Sequence, residues 1–178
     1  MTKSADYAKR PVSSVLAGPY GHPFHPILVT IPIGAWVASL VFDIGSRIVD
    51  DPQFLTRGSQ WLIAIGVIGA LAAALVGFLD LLTIPKSTPA LRVGLLHMTL
   101  NVTIVVAYVI NFIWRYVGYG STFAVGIGPL LLSIASLSAL VVSGALGGKL
   151  AYSYGVRVAL ETDQAEGFRS SSAGERPA

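Results

Sequence analysis

Apolar residues gather into four long blocks, roughly Pro26–Arg47, Trp61–Thr83, Leu91–Trp114 and Val125–Gly147. Each is close to the ~20 residues that carry a helix across a ~30 Å hydrocarbon layer. Between the blocks lie short polar segments with turn residues: Asp50, Asp51 and Pro52, then Pro85 and Pro89, then Gly118 and Gly120. Short connections make neighbours antiparallel. The pattern predicts an all-α integral membrane four-helix bundle of up-down-up-down order. Residues 1–21 form an N-terminal tail, 22–158 the transmembrane domain and 159–178 a polar, disordered C-terminal tail.

Composition agrees. Of 178 residues, 53% are hydrophobic and only 12% charged, with a mean hydropathy of +0.69. Soluble domains carry about a quarter charged residues, so a soluble enzyme is excluded. Cysteine is absent, which removes disulfides, thiolate metal sites and thiol catalysis. Ala5–Gly21 holds no continuous apolar run, so no cleaved signal peptide is expected.

Charge orients the spans. One side collects Lys3, Lys9, Arg10, Lys86, Arg92, Lys149, Arg157, Arg169 and Arg176; the other has only Arg47, Arg57 and Arg115. The positive-inside bias puts both termini in the cytoplasm. The net charge of +3 is read through this topology, and no nucleic-acid partner is expected.

Helix association inside lipid relies on close van der Waals approach. Gly66, Ala70, Ala73, Ala74 and Gly77 supply it in the second span; Ser133, Ser136, Ala139, Ser143, Gly144 and Gly147 supply it in the fourth. Pro32 predicts a kink in the first span. Trp61, Trp114, Tyr116 and Tyr119 fit an interfacial aromatic belt. Gly147–Val158 either continues the last helix or forms a cytoplasmic elbow, with Lys149, Tyr152, Tyr154 and Arg157 placed for lipid head groups or a partner. No internal repeat stands out.

Ionisable groups within spans mark candidate sites. His22 and His25 flank the start of the first helix, Asp80 lies near the inner end of the second, and His97 is ~9 Å into the third at 1.5 Å per residue. Asn101 follows one turn on, along the same face. His22, His25, Asp80 and His97 thus reach one level from three helices. They form a first-row metal donor set, or His25 and His97 ligate a b-type haem, with Asp80 orienting an imidazole. Structural histidines, and an Asp80 paired with Lys86 or Arg92, are the bland alternatives. Asp43 stands apart and is expected to pair with Arg47 one turn on.

The run Gly21-His22-Pro23-Phe24-His25-Pro26 through Gly34, then Asp43, Gly77 and Asp80, His97, and Gly147-Gly148-Lys149-Leu150-Ala151-Tyr152-Ser153-Tyr154-Gly155-Val156 resembles the bacterial membrane proteins called domain of unknown function 2231. The resemblance covers about Gly21 to Val158 and implies four membrane helices. Some relatives are fused to Rieske-type iron–sulfur domains, so it also implies electron transfer by analogy. The leading expectation is a small redox or metal/haem-binding subunit with a redox partner protein. A proton or cation relay through His97 and Asp80 in an oligomer, and a structural subunit without chemistry, stand beside it.

Overall fold

The computed structural model describes residues 24–118, 123–158, 160, 161 and 164. Helix α1 covers Phe24–Leu28 and α2 covers Thr30–Gly45. They form one span, broken at Val29 where Pro32 predicts it. Proline has no N–H, so the Leu28 carbonyl loses its helical partner. The Val29 N–H still reaches the His25 carbonyl at 3.0 Å, and Ile33 reaches Val29 at a long 3.3 Å.

Helices α3 (Gln53–Leu82) and α4 (Pro89–Gly118) have 30 residues each, about 45 Å long at 1.5 Å per residue. Both exceed the apolar blocks that predict them. Gln53–Gln60 is polar but helix-compatible, and Pro52 stops it from extending backwards. Helix α4 opens with Pro89 and with the Thr88 hydroxyl accepting the Leu91 N–H at 3.2 Å. Helix α5 (Ile127–Gly148) runs into a π-helical turn at Lys149–Ser153, closed by Tyr154 N–H on the Lys149 carbonyl at 3.2 Å. The chain then reverses through Gly155 (φ 66°) and Arg157 (φ 58°). The segment is therefore both a helix extension and an elbow. The C-terminal tail lies almost wholly outside the described residues.

Among the described residues, four helical spans are long and apolar enough to cross a membrane, the first of them α1 and α2 together. The first span lies beside α3 and α5, and α4 lies beside the same two. Spans one and three are thus diagonal and meet only through side chains. Trp36 and Tyr108 stack across the centre with ring centroids 4.1 Å apart, and Ile63, Ala70 and Ile104 complete the buried core. Gly66 is required there: a Cβ would come within 2.2 Å of the Trp36 ring nitrogen. Large apolar side chains such as Leu75, Val141 and Phe54 point outward, as expected where the solvent is lipid. Trp61, eight residues into α3, and Tyr116, near the end of α4, are exposed. Tyr119 lies outside the described residues.

Candidate functional site

Two polar clusters occupy opposite ends of the bundle. At one end, His25 in α1 places Nδ1 2.9 Å from the Ala73 carbonyl of α3. His97 in α4 places Nδ1 2.9 Å from the Ser143 carbonyl of α5. A carbonyl only accepts, so each Nδ1 is the donor, and in the neutral ring Nε2 is then the atom that carries the lone pair. The rings lie edge to face, centroids 6.5 Å apart and 82° between planes.

The two imidazoles are seated alike. Each hangs from the carbonyl of residue i on the neighbouring helix and rests on a glycine at i+4. A Cβ at Gly77 would come within 2.7 Å of His25 Cε1, and one at Gly147 within 3.2 Å of His97 Cε1. These glycines are therefore part of the site as well as packing residues. Asn101 joins it on the His97 side. Its amide nitrogen lies 2.6 Å from Ser143 Oγ, 2.8 Å from the His97 carbonyl and 3.2 Å from His97 Nε2.

Among the described residues Asp80 is bonded to no imidazole. Its Oδ1 accepts from Arg157 Nε at 2.7 Å, neither Lys86 nor Arg92 being that partner. The reversal at Gly155 and Arg157 carries that guanidinium back to the end of α3. His22 lies outside the described residues. Among the described residues, no three His, Cys, Asp or Glu side chains come together as a metal site. The pair His25–His97, with Asn101, is what the fold assembles from the expected set.

The opposite end corrects one expectation. Asp43 does not pair with Arg47. It takes a bidentate bond from Arg115, Nη1 to Oδ1 at 2.6 Å and Nη2 to Oδ2 at 2.7 Å. Arg47 instead donates to the Val125 carbonyl at 2.6 Å. Titratable groups are consequently not confined to the histidine end. Ser59 Oγ also donates to Asp43 Oδ1. The remaining guanidinium N–H groups reach Ser59 Oγ at 2.9 Å, Asn111 Oδ1 at 2.7 Å and Ser133 Oγ at 3.2 Å. All five donors of Arg115 are satisfied, and the pair is excluded from solvent, at 3% and 0% side-chain exposure. The loop after α4 seals this end: Thr56 Oγ1 donates to the Phe123 carbonyl at 2.9 Å, and Val125 N–H to Ser46 Oγ at 3.1 Å. This cluster ties together all four spans. Sequence reasoning assigned Asp43 to the nearest arginine; the missed signal was Asn111 and Arg115 falling on the same α4 face as His97 and Asn101, at helical spacing.

No curated protein and no solved structure matches the chain. Residues 21–160 match the family described as predicted membrane protein (DUF2231). That match spans most of the chain, including the histidine pair, both glycine seats and the Asp43–Arg115 cluster, and the chain therefore belongs to this family of predicted membrane proteins.

Proposed function

We propose that this protein is a membrane electron-transfer subunit that holds a b-type haem between His25 and His97. The observation that carries the reading is the common seating of the two imidazoles. Histidines that ligate metals typically donate their second nitrogen to a carbonyl, which fixes ring and tautomer and leaves Nε2 free to coordinate. Both rings have that arrangement.

The donor count favours haem over a bare ion. Zinc and its neighbours take four or more protein or water ligands, whereas a haem brings four nitrogens and asks the protein only for axial ligands. His25 and His97 would hold the group, and their ring centroids are 6.5 Å apart. Asn101 has two acceptors besides His97 Nε2, so its amide can leave that nitrogen without losing its bonds. A bound haem would supply one-electron chemistry; the chain supplies ligands, tautomer and a low-dielectric setting. The excess of Lys and Arg on this side supports a cytoplasmic orientation of this end, where a redox partner could reach it. A relay through His97 and Asp80 has less support, because Asp80 is taken up by Arg157.

The test is haemin titration into the detergent-purified full chain, followed by dithionite reduction. The expected result is one haem per chain with a sharpened Soret band and resolved α and β bands, lost in His97→Ala and in His25→Ala. A wild-type chain that leaves haemin as the free species would refute the reading.

A further inference from the structure

Three pairs meet across the bundle centre: His25 with His97, Trp36 with Tyr108, and Asp43 with Arg115. In every pair the partners are 72 residues apart. On the neighbouring helices a second constant offset appears. The carbonyls that hold the imidazoles, Ala73 and Ser143, are 70 apart, and so are the glycines beneath them, Gly77 and Gly147. The same offsets recur at the far end. A Cβ at Gly58 would strike the Phe42 ring at 2.6 Å, and one at Gly128 the Trp114 ring at 2.5 Å. Phe42 and Trp114 are 72 apart, Gly58 and Gly128 are 70 apart.

We infer that the chain is one helical hairpin duplicated, the halves related by a twofold axis along the bundle, and that the axis passes through the His25–His97 site, so that each half gives one imidazole to a ligand seated on it. The ligand's place on the axis rests on the haem reading; the duplication does not. Neighbour relations obey the axis: the first span on α3 mirrors α4 on α5, and the first span on α5 mirrors α4 on α3. Read at the 72-residue offset, Phe24-His25 aligns with Leu96-His97, Leu28 with Leu100, Ala35-Trp36-Val37 with Ala107-Tyr108-Val109, Ser39 with Asn111, and Phe42-Asp43 with Trp114-Arg115. The halves have diverged where they touch. An acid facing an acid on the axis would repel, whereas Asp43 facing Arg115 binds and makes each half prefer the other over its own copy.

The axis makes a prediction that no single contact makes. At the 70-residue offset the equivalent of Gly66, which gives Trp36 its room, is Ser136, which the axis would set against Tyr108. An indole at position 108 should therefore be blocked by the Ser136 Cβ. We expect Tyr108→Trp to lower the unfolding midpoint in detergent by about 5 °C or more, and Ser136→Gly added to it to restore at least half the loss. The mirror pair is Gly66→Ser, rescued by Trp36→Tyr. If Tyr108→Trp yields no folded protein, recovery of a monodisperse peak by Ser136→Gly is the readout. Absence of rescue in the Tyr108–Ser136 cycle overturns the duplication. Both cycles are run without haemin, so their failure leaves the haem reading standing; a flat haemin titration removes that reading and the ligand's place on the axis with it.

Discussion

Arg115→Ala should be among the most damaging single substitutions in the chain. The guanidinium satisfies both Asp43 oxygens and also bonds Ser59, Asn111 and Ser133. Its removal strands a carboxylate with 0% exposure. Breaking a buried pair from one side costs about 3–5 kcal/mol, because the surviving charge is uncompensated. Asn111 Oδ1 loses its donor as well, a further cost of about 1–3 kcal/mol that overlaps with the first. The loss should therefore lie at the upper end, near 5 kcal/mol, which is comparable with the whole stability of many domains. Asp43→Leu combined with Arg115→Met should recover most of it, since apolar replacement of both partners is often neutral. Arg115→Lys should recover little: an ammonium has three donors in place of five and no bidentate fork. The assay is reversible unfolding in mixed micelles by titrating SDS into dodecyl maltoside, followed by far-ultraviolet circular dichroism. A loss below about 1 kcal/mol for Arg115→Ala, the range of a surface ion pair, would refute the reasoning.

Three other substitutions test the site and its surroundings. Gly77→Ala should push His25 off the Ala73 carbonyl, costing about 1–3 kcal/mol as an overpacked contact and weakening haemin binding at least tenfold in a Soret titration; Gly147→Ala, with 3.2 Å of room against 2.7 Å, should do less. Tyr108→Phe removes a buried hydroxyl that has no hydrogen-bond partner among the described residues, so the midpoint should hold or rise, by up to about 1 kcal/mol in the same micelle assay. Asp80→Asn should loosen the elbow that Arg157 fastens to α3, and limited proteolysis should then cut around Lys149–Arg157 faster than in the wild type while the helices stay protected.

The sequence by itself determined the solvent and the fold class. Runs of about 22 apolar residues can satisfy their backbone in lipid only as helices, so four spans follow from hydropathy alone. The break near Pro32 follows as well, because a missing N–H is a local fact. So does the nearness of Asn101 to His97, which helical spacing fixes. Partners across helices are another matter. Asp43 has Arg47 one turn away, yet bonds Arg115, 72 residues on. Asp80 has Lys86 and Arg92 nearby in sequence, yet takes Arg157, which a left-handed backbone turn returns to it. Side-chain reach along one helix can be read from spacing, but contact between helices depends on their rotation and register, which small residues set by how closely they let backbones approach. The duplication was hidden for the same reason. Its aligned residues are few and mostly apolar, and the offset changes from 72 to 70 between the helices of each half. Only the tertiary structure brings the equivalent positions face to face on one axis, where His25 and His97 meet.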